Sequence, residues 1–291
     1  MASNIEWTEF VWNPSTGCDR ISPGCDNCYA LTMAKRLKAM GQAKYQTDGD
    51  PRTSGPGFGV AMHPDTLLDP VVRWPQRSRR MVFVNSMSDL FHARVSTDFV
   101  ARVFATMALT PQHTYQILTK RPRRMRQLLA ERPRLKDAMF EALLELRRTA
   151  PVVWSREQSR LLDWPAARTP WPLPNVWLGT SIESDDYCWR ADELRRVPAA
   201  VRFLSLEPLL GPLPSLDLTG IDWVIIGGES GPNFRALDLD WVRDLRDRCA
   251  EHGTALFFKQ IGGVRPKSGG RLLDGRTWDE FPRPVVGAGR G

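Results

Sequence analysis

The sequence predicts an α/β protein, a full or partial (β/α) barrel in a single domain. Short apolar runs of four to five residues, rich in β-branched and aromatic side chains, recur without strict alternation, the pattern of strands buried on both faces. Each run ends in a cluster of polar or charged residues. Amphipathic helical stretches lie between them. Strand and helix in alternation imply parallel strands with helices packed outside, and reactive groups then belong at the C-terminal strand ends.

In chain order, "FVWNP" (10–14) is the first strand. "MVFVNSMSDLF" (81–91), "TYQILTKRP" (114–122), "NVWLGTSIE" (175–183), "VRFLSLEPL" (201–209), "DWVIIGGES" (222–230) and "ALFFKQIGG" (255–263) supply six more. Helices are expected over 97–109, 134–148 and 238–251; the last has an acidic start, apolar spacing of three and four, and Gly253 as a stop. The polar strand ends put Asn85, Ser86, Asp89, Thr119, Lys120, Arg121, Glu183, Glu207, Glu229, Lys259 and Gln260 on one rim. Capping is the plain alternative for any single one of them. Two segments break the pattern: 41–80, rich in Gly, Pro and polar residues, and 151–174, with several prolines and Trp154, Trp164 and Trp171. Both read as insertions or lids over a barrel spanning 1–263. Residues 264–291 read as a C-terminal extension with a mobile end.

The 291 residues are 42% apolar and 25% charged, an ordinary globular balance. No run of about 18 uncharged apolar residues occurs, so no membrane contact is expected. "MASNIEWTEF" lacks the apolar centre of a signal peptide, and the expected compartment is the cytoplasm, where thiols stay reduced. The net charge of +7 is partly local, in "RWPQRSRRM" (73–81), "KRPRRMRQ" (120–127) and "RPRLK" (132–136). Such clusters suit a nucleic acid or nucleotide; an arginine-rich solvated surface is the alternative.

The densest chemistry is "STGCDRISPGCDNCYA" (15–30), which holds Cys18, Cys25 and Cys28, three of the five cysteines. Three readings are open. A structural zinc site needs a fourth ligand, from Cys188, Cys249 or a histidine. A disulfide with one thiol left over suits a reducing compartment poorly. A [4Fe–4S] cluster on three thiolates leaves one iron open, and that vacancy suits chelation of S-adenosyl-L-methionine and reductive release of a 5′-deoxyadenosyl radical. Gly17 and Gly24 each precede a thiol and let the backbone wrap tightly around it.

"GCDRISPGCDNCYA", "FVNSMSDLFH", "ILTKRP", "LGTSIE", "RFLSLEPLLGPL", "IIGGESGPNFR" and "FFKQIGG" together resemble the phage Gp37/Gp68 family of three-cysteine-motif proteins, a divergent branch of the radical SAM superfamily. The resemblance runs from residue 17 to 263 and implies a barrel of radical SAM type. It departs from the usual superfamily pattern, in which the first gap is three and an aromatic precedes the last cysteine; here the gap is six, Asn27 takes that place and Tyr29 follows.

The resemblance implies that Cys18, Cys25 and Cys28 ligate the cluster and that strand ends contact S-adenosyl-L-methionine. Asn85, Ser86, Ser88 and Asp89 offer hydrogen-bonding groups, Asp89 as an acceptor for the methionine ammonium or ribose. Lys120, or Arg121, is placed to pair with the cofactor carboxylate. Glu183 and Glu207 are acceptors for ribose or substrate, and Gly227, Gly228 and Glu229 match the stretch that meets the cofactor's amino group. Lys259 and Gln260 face the same opening, and His92 is either a proton carrier or a satisfied buried histidine. The three tryptophans of 151–174 stack bases or pack a lid. The implied activity is hydrogen abstraction from a nucleotide or nucleic acid, DNA foremost. Within it, the expected reaction is an isomerase step in phage thymidine hypermodification, rearranging an amino-acid adduct on the base methyl. Such a protein works in the host cytoplasm with a reductase or flavodoxin-type electron donor, and duplex DNA must release its target base from the stack. DNA-lesion repair, RNA-base modification and a non-enzymatic zinc module that binds nucleic acid are the alternatives.

Overall fold

A computed structural model describes residues 5–74, 78–130, 132–149 and 170–282. Seven parallel strands form one sheet: β1 (Phe10–Val11), then β4 (Met81–Val84), β5 (Thr114–Thr119), β6 (Val176–Ser181), β7 (Val201–Leu206), β8 (Trp223–Gly227) and β9 (Ala255–Gln260), in that spatial order. Two short strands, β2 (Ser15–Thr16) and β3 (Ala61–Met62), pair antiparallel in a separate ribbon. The large sheet curls into a half-barrel; β1 and β9 are its two ends and do not meet. The expected barrel is therefore present as a partial one.

The strands are buried on both faces because each face has its own apolar layer. Val82, Val84, Tyr115, Ile117, Leu178, Leu204, Leu206, Val224, Ile226, Leu256 and Phe258 join a large outer core with the helices. Their sequence neighbours Phe83, Trp177, Phe203, Trp223, Ile225 and Phe257 turn inward around Trp7, which fills the concave side near the N-terminal strand ends. Trp7 meets Phe83 edge-on at 4.8 Å between ring centroids and Trp223 at 6.2 Å. This plug closes the bottom of the half-barrel and leaves the C-terminal mouth as the open end.

Helices cover the outer face: α2 (Asp69–Val72) before β4, α3 (Thr97–Ala108) before β5, α4 (Pro122–Ala130) and α5 (Arg132–Thr149) before β6, α6 (Trp189–Arg195) before β7, and α7 (Leu239–His252) before β9, while α1 (Tyr29–Ala39) packs apart from them with the thiol loop. The expected helices over 97–109, 134–148 and 238–251 correspond to α3, α5 and α7. Ser96 caps α3 by accepting from the Phe99 amide at 3.2 Å, and α7 runs from its Asp238 cap to Gly253 in the left-handed region. Between β7 and β8 the expected alternation lapses. Residues 207–222 form no helix, because Pro208, Pro212 and Pro214 remove the amides a helix needs there.

Residues 41–74 brace α1. Tyr45 and Phe58 pack on Ala30, Ala34 and Met87, and β3 pairs with the β2 segment that leads into Cys18. Of the 151–174 segment, only its last residues lie within the described part. There Trp171 packs on Phe104 of the outer core at 6.0 Å; Trp154 and Trp164 are outside the described residues. Beyond β9 the chain returns antiparallel along the sheet edge. Phe258 N donates to Trp278 O at 2.8 Å and Glu280 N to Leu256 O at 3.0 Å, which shields an otherwise open strand. The chain end beyond 282, expected to be mobile, lies outside the described residues. No described helix is long and apolar enough to cross a membrane.

If Trp7 is the plug, Trp7→Ala should lower the unfolding free energy by about 3–5 kcal/mol, the usual cost of emptying a buried indole site. Urea denaturation followed by far-UV dichroism measures it.

Candidate functional site

The sheet's period-two alternation decides what faces the mouth. One layer above the aromatic plug, inward positions carry Asn85 after β4, Lys120 after β5, Glu183 after β6, Glu207 after β7, Gly227 at the end of β8 and Lys259 in β9. Across this mouth runs the loop with the three thiols. It leaves β2 at Gly17, forms a 3-10 turn over Pro23–Cys25, and enters α1 with Cys28 as its N-cap.

Several contacts hold that loop. Gly17 N donates to Met87 O at 2.9 Å, and Gly17 bridges Ser88 beyond β4. Gly17 has a φ of +85°, and a Cβ there would lie 2.0 Å from Gly59 O, so both conformation and space demand glycine. Gly24 sits against Lys120 and Glu183, where a Cβ would approach Nζ to 3.0 Å. Asn27 Nδ2 donates to Glu229 Oε2 at 2.9 Å and to Asn233 O at 3.1 Å. The Tyr29 hydroxyl donates to Ser86 O at 2.5 Å, although the residue is 56% exposed.

All five cysteines are free thiols. The three loop thiols are neighbours: Cys25 and Cys28 both add to an upward shift of Cys18, and Cys25 to that of Cys28. Burial pushes Cys18 up to about 12, with the Asp89 charge adding to it. Burial also raises Cys28, against the pull of the first-turn amides of Ala30 and Leu31. Cys188 and Cys249 belong to the outer core on the other side of the sheet. Neither is placed to complete a four-thiolate site with the loop. Among the described residues, no three His, Cys, Asp or Glu side chains are grouped to hold one metal ion.

Glu183 is fully buried. Its Oε2 accepts from Lys120 Nζ at 2.7 Å and Arg190 Nη1 at 3.0 Å, while Oε1 lacks a well-formed hydrogen bond. Burial alone would raise this carboxyl, but the Lys120 and Arg190 charges outweigh it and hold the pKa below the ordinary value. Across the mouth, Lys259 Nζ stands 3.1 Å from Glu207 Oε1. Gly227 makes room for that carboxylate, since a Cβ there would sit 2.4 Å from Oε1.

Other expected ligands are already engaged by the protein. Asp89 accepts from Phe91 N at 2.9 Å, Thr119 Oγ1 at 2.7 Å and Lys120 N at 3.0 Å, so it ties the ends of β4 and β5 together. Arg121 reaches Asp89 only at 4.0 Å. Asn85 Nδ2 donates to Ser15 and Ser88, both at 2.7 Å, leaving its buried Oδ1 without a donor. Ser86 pairs with Asn13 at 3.1 Å. Gly228 lets two strand ends close, for a Cβ would lie 1.9 Å from Ile261 O. Gln260 accepts from Lys267 N at 3.1 Å and donates to Gly228 O at 3.2 Å.

His92 is buried, accepts at Nδ1 from the Arg94 amide at 3.1 Å and pairs through Nε2 with Asp19 at 2.9 Å. That arrangement fits a neutral Nε2–H tautomer, and burial together with the Arg121 charge lowers its pKa. It is a satisfied histidine bracing the residue after Cys18. The arginines of 120–127 are largely paired within the fold: Arg126 binds Glu193 at 2.6 Å, Arg124 donates to Val95 O at 2.7 Å, and Arg123 lies over the Trp189 ring. Arg20, Lys35 and Arg36 are exposed on the loop and α1 instead.

Sequence reasoning gave no role to Arg190 or Arg235. Both lie a few residues beyond a strand-end glutamate, in "IESDDYCWR" and "GGESGPNFR", and that spacing is the only signal either carries.

The fold and the mouth together define a half-barrel α/β protein with a three-thiol loop roofing the C-terminal strand ends. The chain belongs to the family described as "Protein of unknown function (DUF5131)", whose model matches residues 2–282. No curated protein and no solved structure matches the chain.

Glu183→Ala strands the buried Arg190 and the half-buried Lys120 and should destabilise the protein by about 3–5 kcal/mol. Because the Glu183 pKa is depressed, the stability it contributes is present above the unfolded-state value and is lost as pH falls through the lower folded one. Denaturation of wild type and Glu183→Gln from neutral to acidic pH should therefore show the gap between them narrowing only on the acid side.

Proposed function

We propose that this protein is a radical SAM enzyme, as its resemblance to the Gp37/Gp68 family implies, and that Cys18, Cys25 and Cys28 hold a [4Fe–4S] cluster. The observation that carries the reading is the three-thiol loop over the C-terminal mouth of a parallel half-barrel. Buried acceptors without a full complement of donors, Asn85 Oδ1 and Glu183 Oε1, suit a polar ligand in the same opening.

When bound, the cluster supplies an electron that cleaves S-adenosyl-L-methionine to a radical able to take hydrogen from a substrate. The chain's own part is placement. Lys120 presents its ammonium to a ligand carboxylate, and Asn85 and Glu183 accept from ligand amino or hydroxyl groups. Glu207 and Lys259 face the other half of the mouth and orient the substrate. The loop, the Tyr29 ring and α1 restrict water above the reacting atoms.

The substrate we propose is a nucleotide-type base, DNA foremost, approached across the exposed cations Arg20, Lys35 and Arg36. The reaction we favour rearranges an amino-acid adduct on a thymine methyl group. An acidic one-electron donor protein is the partner this chemistry requires.

Anaerobic reconstitution tests the proposal. Wild type should bind about four irons per chain and form 5′-deoxyadenosine under reductant, and Cys25→Ala should lose both. A colourless zinc-loaded wild type would reject the reading. Mass spectrometry of nucleosides from DNA made with and without the gene then identifies the base.

A further inference from the structure

Glu229 was expected to meet a cofactor, yet its carboxylate already accepts four hydrogen bonds from the protein. Oε2 accepts from Asn27 Nδ2 at 2.9 Å, the Arg235 amide at 2.9 Å and Arg235 Nε at 3.0 Å, and Oε1 accepts from Arg235 Nη2 at 2.6 Å. Three donors therefore crowd Oε2 and one holds Oε1, which leaves acceptor capacity on Oε1 alone. The Arg235–Glu229 contact is a two-pronged, charge-assisted pair, a geometry lysine cannot reproduce. Glu229 itself is buried at the end of β8.

The same guanidinium reaches the thiol loop. Arg235 Nη2 donates to Pro23 O at 3.0 Å, and Nη1 stands 3.5 Å from Asp26 Oδ2. Pro23 and Asn27 flank Cys25, so the loop is gripped on both sides of that thiol. The loop's own hydrogen bonds are local turns, Cys25 N to Ser22 O, Asp26 N to Pro23 O and Cys28 N to Cys25 O. Turns of that kind on an exposed segment open readily without an anchor. The other support on this stretch is the packing of Gly24 and Ser22 on Lys120 and Glu183.

We propose that Arg235, locked on Glu229, is a positioning residue that holds the Cys25–Cys28 segment over the mouth, and that Glu229 is half of this latch instead of a cofactor ligand. The role in catalysis rests on the cluster reading above; the latch itself does not.

The test compares the full-length, metal-free wild type with Arg235→Ala, Arg235→Lys, Glu229→Gln and Asn27→Ala. Iodoacetamide labelling of Cys25 and limited proteolysis within 19–28 are the readouts, with far-UV dichroism as the folding control. Arg235→Ala should speed Cys25 labelling about tenfold or more, as loss of charge-assisted hydrogen bonds implies. Arg235→Lys should not restore protection, Glu229→Gln should match Arg235→Ala, and Asn27→Ala should show a smaller rise. On reconstituted protein the same variants should broaden the electron paramagnetic resonance of the reduced cluster. Wild-type labelling rates in folded Arg235→Ala would overturn the proposal. So would a Glu229→Gln protein that keeps Cys25 protected yet binds S-adenosyl-L-methionine more weakly, the result a ligand role requires. Should Arg235→Ala not fold, Asn27→Ala decides, because it removes only an exposed side chain. Wild type that takes up no iron on reconstitution, yet shows the latch-dependent labelling pattern, would reject the cluster and keep the latch.

Discussion

The mouth of this half-barrel is organised around a carboxylate that has no access to water. An isolated buried Glu183 would be strongly destabilising, and two cations from different elements resolve that cost: Lys120 from the end of β5 and Arg190 from α6. Arg190 also donates to Ser181 O at 2.8 Å, so one guanidinium joins the start of α6 to the end of β6. The arrangement fixes the relative height of two strand ends. It also supplies the floor on which Gly24, and with it the thiol loop, rests.

The loop would be poorly determined by its own sequence. It has two short turns, no long helix or strand, and its apolar member Ile21 is exposed. Its order comes from outside. β3 and Met87 hold it where it leaves β2, Thr53, His92 and Arg94 hold Asp19, and Arg235 and Glu229 hold the far side. These contacts lie beyond β4, beyond β8 or in the segment bracing α1. The position of the thiols is thus a consequence of sheet curvature as much as of local turn chemistry, and damage to the sheet on either side should be felt at the sulfurs.

The apolar runs announced all six long strands, because two-sided burial leaves a simple signature. Asp238 and Gly253 announced the limits of α7 through capping, which is equally local. The mouth was half legible. Strand-end position and period-two alternation place Lys120, Glu183, Glu207 and Lys259 inward without any knowledge of tertiary contacts. What alternation cannot report is whether an inward group is already taken. Asp89 meets Thr119 and the Lys120 amide from the next strand, and Glu229 meets Arg235 through an irregular turn at Gly231. Neither pairing has a periodicity to betray it. The missing helix between β7 and β8 was written in three prolines, but the regularity of the other units argued more loudly.

The six-residue first gap has a geometric reason once the anchors are known. Cys18 is tied beyond β4, through Gly17 to Met87 and Ser88, whereas Cys25 stands between Pro23 and Asn27, both tied beyond β8. In the sheet those two strands are separated by β5, β6 and β7. A chain extends by at most about 3.3–3.6 Å per residue, and a turn over Pro23–Cys25 shortens the useful part further. A three-residue gap would therefore need both thiols anchored near the same strand end. Six residues let one loop span the mouth, with Asp19 and Arg20 still held at Thr53 and Ser22 reaching Glu183. The altered spacing and the anchoring across the half-barrel are then one feature: the longer gap lets Cys18 stay tied beyond β4 while the turn around Cys25 reaches Arg235 and Glu229, before the chain returns at Tyr29 to Ser86 beyond β4.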